Sequence, residues 1–331
     1  MVIFSKAPVR ICDIGGWTDT WFYKEIGAVF NICIDLFSHV KIIENSMKII
    51  NIFSENLDLS TQITNYDKIE YDGTLDLLKA AIKRMEIKSG LDIYVRTDAP
   101  PGCGTGTSAS IAVALISALA HYSDKHLDRQ EIAEIAHKLE IEELNLQSGV
   151  QDQFAAAYGG INFMEIDYPS VKISSIKISD KKIFELESHL ILVYLSSRSS
   201  SEMHKAVIEN YENGKSDTIK AFETMKTCAH EMKKAINSNI KEVGEVMNKN
   251  WQAQKKLHPL MVNPVIEKAE EIAHENGALG FKINGAGGGG SVTILTGTGN
   301  EYSLKKKLID NRFTLLPAKL NFKGVQTWDL F

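Results

Sequence analysis

Asp98-Ala-Pro-Pro-Gly-Cys-Gly-Thr-Gly-Thr-Ser-Ala-Ser110 sets Gly102, Gly104 and Gly106 at alternate positions directly before the small, apolar run 111–122. Glycine adopts positive φ without steric cost and lets the main chain approach a ligand closely. A helix opening from such a loop turns its unpaired N–H groups and the positive end of its dipole toward whatever occupies that position. The stretch therefore predicts a phosphate cradle at the head of a buried helix, formed by Pro101, Gly102, Gly104, Gly106, Thr107 and Ser108. Its spacing is neither Gly-x-x-x-x-Gly-Lys-[Ser/Thr] nor Gly-x-Gly-x-x-Gly. Taken alone, a tight turn before a packed helix accounts for it as well.

Outward from the loop, periodicity gives mixed α and β. Residues 28–34, 40–43 and 91–95 read as strands, while Leu75, Leu78, Ala81, Ile82 and Met85 recur at helical spacing. Helices are expected at 128–144, from 148 to the pair Gly159-Gly160, and over 201–237, 239–257 and 264–275. The chain is then expected to close with a strand, the last glycine run, a strand and one helix. The 331 residues are about twice the usual length of one domain, so two lobes are expected. The polar Lys, Ser and Ile stretch 165–185 places their boundary, giving lobes 1–180 and 181–331.

Composition narrows the function. With 37 Lys+Arg against 42 Asp+Glu and no basic block, nucleic acid is not an expected partner. Lys6 and Arg10 interrupt the first apolar residues, and 111–120 is far shorter than a bilayer span, so no membrane association is expected. Four cysteines without Cys-x-x-Cys spacing and nine histidines without a paired set suggest neither zinc nor disulfides. A reduced, cytoplasmic chain is the expectation.

Two further glycine segments sharpen the reading. Ala7-Pro-Val-Arg-Ile11 leads into Gly15-Gly-Trp-Thr-Asp19, and Asn284-Gly-Ala-Gly-Gly-Gly-Gly290 separates two apolar strands. A hairpin turn needs one or two glycines, so the second run points to close approach of backbone to a ligand, with Gly287 and Gly288 at its centre. In order and spacing, Lys6-Ala-Pro-Val-Arg-Ile with Gly15-Gly-Trp-Thr-Asp19, the loop 100–110 and the run 285–290 resemble the three motifs of the GHMP kinases. The resemblance covers essentially the whole chain. It implies an α+β, two-lobed fold: a ribosomal S5 domain 2-like first lobe, a ferredoxin-like second lobe, and ATP, magnesium and substrate in the cleft between them.

Phosphoryl transfer from ATP requires a cradle, a metal ion and a group that orients the acceptor hydroxyl. By resemblance, Asp152 is the general base or positioning group and Arg10 keeps it ionised. Glu140 and Ser108 hold magnesium, Asp19 with Thr18 accepts sugar hydroxyls, and Trp17 is placed to stack on the sugar face. Blander readings stand beside each of these. Asp152 suits a helix cap, Glu140 an exposed acid beside Glu142 and Glu143, Arg10 a surface position, Asp19 a turn, and Trp17 packing beside Trp21, Phe22 and Tyr23.

Residues 151–160, 194–202, 251–257 and 277–280 are similar to the D-glycero-D-manno-heptose 7-phosphate kinase branch, which implies transfer to O1 of a sugar already phosphorylated at O7. Arg198, among serines, is chemically suited to the far phosphate. The Gly-Gly-Trp and Gly-Thr-Ser elements also look like fucokinases, so L-fucose or another hexose is the alternative acceptor. A sugar and nucleotide sensor without turnover is the reading of another class; Asp152, Glu140 and Ser108 argue against it, because a sensor need not keep base and metal positions. The expected partner is a small sugar or sugar phosphate, and nothing in the sequence sets an oligomeric state.

Overall fold

Apolar residues from the first positions onward form two long paired strands, β1 (Val2–Ile14) and β2 (Gly27–Glu44), in a computed structural model that describes residues 1–197 and 201–330. Periodicity predicted two strands where β2 is one, because β2 changes partner midway. After β3 (Ile50–Ser54), β4 (Leu59–Ile63) and α1 (Asp76–Arg84), strand β5 (Leu91–Thr97) pairs with β2 over 38–44. After α2 (Thr107–Tyr122), α3 (Arg129–Lys138) and α4 (Gln151–Tyr158), strand β6 (Ile161–Asp167) takes the other half of β2, over 27–32, and β7 (Ser170–Ser175) pairs outside it.

The second lobe begins with α5 (Asp180–His189) and β8 (Leu190–Ser196), followed by α6 (Ser201–Glu212), α7 (Ser216–Ala235), α8 (Ile240–Gln254) and α9 (Pro264–Glu275). The expected single helix over 201–237 is interrupted between α6 and α7, where Gly214 adopts φ +68°. Next come β9 (Ala278–Ile283), β10 (Gly290–Thr296), α10 (Glu301–Asp310), β11 (Thr314–Leu316) and β12 (Gln326–Leu330). The second sheet is antiparallel in the order β11-β8-β10-β9, the split β-α-β arrangement expected of this lobe. Two strands therefore follow α10, where the sequence reading ended on that helix. The last of them, β12, returns to the first sheet and pairs antiparallel with β1, from Val2 opposite Leu330 to Lys6 opposite Gln326.

Small residues let α2 lie close to β1 and β2. Ala112, Val113, Ala114 and Ala118 are fully buried in one core with Ala7, Val29 and Cys33, and Ser110 Oγ donates to the Ala7 carbonyl at 2.7 Å. On the opposite sheet face, Val9, Ile11, Phe30 and Ile32 join Ala229 and Met232 of α7 and Val243 and Met247 of α8, which makes the seam between lobes apolar. Strand β8 alternates between cores: Leu190 and Leu192 enter the seam, whereas Ile191 and Val193 enter the second lobe's own core with Trp251 and Phe281. Among the described residues no helix is long and apolar enough to cross a membrane. All four cysteines are buried, and none is in a disulfide among the described residues.

Candidate active site

Three residues apart on a regular strand, Arg10 and Asp13 would face opposite sides. Register shifts in the β1–β2 ladder between Pro8 and Val9 and between Ile11 and Ile14, with Cys12 at φ +53°, break that alternation, and both side chains line one cleft. The cleft holds about 710 Å³ between the glycine loop, the start of α4, α6 and the final glycine run.

Arg10 is buried, and each of its three side-chain nitrogens donates a hydrogen bond. Its Nε donates to Asp152 Oδ1 at 2.7 Å, Nη2 donates to Oδ2 at 3.1 Å, and Nη1 donates to the Gly104 carbonyl at 2.7 Å. Burial alone works against its charge, but the carboxylates of Asp152 and Asp13 outweigh that and raise its pKa. The fork holds the acid and the loop together. Gly102, Gly104 and Gly106 all adopt positive φ, and a Cβ on Gly106 would lie 2.9 Å from Asp152 Oδ2. Positive φ is what the sequence predicted for these glycines; the close approach seen at Gly106 is to the Asp152 side chain.

Asp152 is not the helix cap. The N–H of Gln151 at the start of α4 donates to Asp19 Oδ2 at 3.2 Å, which leaves Asp152 to Arg10. Burial first, and repulsion from Asp152 second, push the Asp19 carboxyl up to about 6. Glu140 sits in a π-helical turn, Leu139–Glu143, that continues α3. Glu142 and Glu143 pair with Arg84 and Lys83, while Glu140 is turned inward and only 7 % exposed. Its Oε2 accepts from Ser148 Oγ and from Gln153 Nε2, the latter at 2.9 Å. Burial, with added repulsion from Asp152, raises it to about 7.

Arg10, Trp17, Asp19, Gly102, Gly104, Gly106, Thr107, Ser108, Glu140 and Asp152, all singled out from sequence, line this one cleft. Others do not. Pro101 is exposed beside it, and Thr18 is buried with its hydroxyl donating to the Gly15 carbonyl at 2.8 Å and accepting from the Ala28 N–H at 3.1 Å. From the final glycine run, Gly285 and Ala286 line the cleft, whereas Gly287 and Gly288 crowd Met261 and Met203: a Cβ on each would lie 2.4 Å from Met261 Sδ and 2.6 Å from Met203 Cε. Arg198 lies outside the described residues. Trp17 packs edge-on against Phe22 and His204, and its Nε1 is buried with no hydrogen-bond partner among the described residues.

Sequence reasoning passed over several residues. Asp13 accepts from the Gly285 N–H at 3.0 Å, Ser148 and Gln153 hold Glu140, and Lys282 is buried at the seam. Asn284 Oδ1 accepts from the Cys12 N–H, and Asn250 Oδ1 from the Gly15 N–H, each at 2.9 Å across the seam. Lys282 and Asn284 in the otherwise apolar stretch 278–284 were the available signals.

Magnesium takes hard oxygen ligands and keeps several positions for water and phosphate. A buried carboxylate whose two hydrogen bonds fall on one oxygen, in the same cleft as an exposed serine at the head of α2, fits that requirement, so Glu140 and Ser108 are the residues that could hold it.

Residues 74–160 match the GHMP kinases N terminal domain, and residues 232–311 match the GHMP kinases C terminal family. The chain is 28% identical to D-glycero-alpha-D-manno-heptose 7-phosphate kinase of Campylobacter jejuni, over 98% of each protein. It is also 28% identical to the bifunctional fucokinase/GDP-fucose pyrophosphorylase of Arabidopsis thaliana, over 88% of this chain but 29% of that longer protein. Among solved structures, a D-glycero-D-manno-heptose 1-phosphate kinase from Bacteroides thetaiotaomicron superposes with a TM-score of 0.83 over 99% of both chains, at 24% identity.

Proposed function

The chain belongs to the GHMP kinase family and is a sugar kinase, and from that premise we propose that it transfers the γ-phosphoryl group of ATP to the anomeric O1 of a sugar, D-glycero-D-manno-heptose 7-phosphate before others. The observation that carries the reading is the two-point contact of Arg10 with Asp152 against the glycine loop. An acceptor hydroxyl in the cleft would face a carboxylate held in place by a two-point guanidinium contact. Because the transition state of phosphoryl transfer is loose, aligning that hydroxyl matters more than basicity, and Asp152 takes its proton late. The loop's N–H groups and the start of α2 hold the phosphates of ATP, and Asp19 accepts hydrogen bonds from sugar hydroxyls. Bound at Glu140 and Ser108, magnesium would offset charge on the β- and γ-phosphates, and its charge would favour the ionised form of Glu140.

Support for the acceptor is the similarity to the Campylobacter jejuni kinase over nearly its full length. A fucose 1-kinase is the second reading, favoured by Gly15-Gly-Trp-Thr-Asp19 and by the equal identity to the Arabidopsis protein. Purified protein with ATP, magnesium and a sugar panel tests both, with the product's phosphate position set by NMR. Heptose 1,7-bisphosphate is the expected product. Turnover of fucose but not heptose 7-phosphate exchanges the two readings, and binding of ATP and sugar without any sugar phosphate replaces both with a sensor.

A further inference from the structure

Asp13 and Lys282 have no part in the transfer described above, yet they form a buried ion pair across the seam. Lys282, on β9 of the second lobe, is 1 % exposed; its Nζ lies 3.5 Å from Asp13 Oδ1 and donates to the Ile283 carbonyl. Asp13, on β1 and equally buried, accepts from the Gly285 N–H through both oxygens at 3.0 and 3.2 Å, and its Oδ1 lies 3.6 Å from Arg10 Nη1. A continuous line of charge therefore runs Lys282, Asp13, Arg10, Asp152, from one lobe to the other. Space for it is built in: a Cβ on Gly16 would lie 2.8 Å from Asp13 Oδ2.

Asp13 stands beside the cation that Asp152 also uses. Unbalanced, its negative charge would compete with Asp152 for Arg10; balanced by Lys282, it steadies Arg10 and fixes the first amide of the final glycine run. We propose that Asp13 and Lys282 are a positioning pair through which the second lobe sets the alignment and charge state of Arg10 and Asp152. The catalytic consequence rests on the sugar-kinase reading; the electrostatic one does not.

The test therefore reads Asp152 directly. Groups facing it are Arg10 from β1, Asp19 from the loop after β1, Glu140 from the turn after α3 and Cys33 from β2; Asp13 is faced by Arg10, Lys282 and Cys12. In protein labelled with ¹³C at aspartate carboxyls, with the Asp152 signal assigned by its loss in Asp152→Asn, Asp13→Asn should lower the Asp152 pKa, because it removes a negative neighbour. Lys282→Met should raise it, because it leaves Asp13 uncompensated. Each variant should also lower kcat about tenfold with a smaller change in KM, and Lys282→Arg should restore most of the loss. Shifts of the same sign, or none, overturn the proposal. Where a single variant does not fold, the charge-free pair Asp13→Asn with Lys282→Met carries the test, and an unchanged kcat in that folded variant overturns it as well. A parent protein that phosphorylates no sugar removes the functional reading while the titration still decides this one.

Discussion

One guanidinium joins Arg10 to Asp152 at 2.7 and 3.1 Å and reaches the Gly104 carbonyl at 2.7 Å, so the acid and the glycine loop share a single support. A lysine ammonium cannot supply that planar fork. Arg10→Lys should therefore lower kcat by about a hundredfold or more, and steady-state kinetics with ATP and the accepted sugar checks it.

Asp152→Asn keeps the shape of the side chain and removes its charge. Nucleotide binding, followed by calorimetry, should stay within about threefold of the parent while kcat falls about 10²- to 10⁴-fold. Undiminished turnover would remove Asp152 from the mechanism.

Gly106→Ala carries two penalties at one position, a φ of +74° and a Cβ 2.9 Å from Asp152 Oδ2. Destabilisation of about 1–3 kcal/mol is expected from the backbone and the contact together. Denaturant unfolding measures that loss, and because Asp152 must shift, kcat should fall more than the KM for ATP rises.

Glu140 gives a pH signature. Its carboxyl is raised from 4.5 to about 7 in the folded chain, chiefly by burial, so the folded state keeps a proton that the unfolded state releases. For this group, stability is greatest below about pH 4.5 and is lost as pH rises through about 7. Glu140→Gln should thus be more stable than the parent by roughly 2 kcal/mol at pH 8, with no advantage at pH 4. Added magnesium should raise the melting temperature of the parent and leave that of the variant unchanged.

What could be read in the sequence followed from local chemistry. The glycine loop, Arg10, Asp152 and Glu140 stand in motifs whose residue types announce their surroundings, and all four elements line one cleft. Asp13 did not stand out, because one acid in an alternating strand reads as its solvent face until a register shift turns it inward. Lys282 reads as the polar side of a half-buried strand, and only the seam buries it. Gly287 and Gly288 share composition with Gly285, but contact with Met261 and Met203 is a tertiary fact absent from the run itself. The pairing of β12 with β1 is likewise non-local, and the three helical turns of α10 offered no hint that strands would follow.

That pairing bears on the order in which the molecule is made. Arg10 rides on a strand whose outer neighbour, β12, leaves the ribosome only after every residue of the cleft has been synthesised. A nascent chain thus carries every residue that lines the cleft while β1 still presents an open edge, and the first lobe to emerge is the last to be closed.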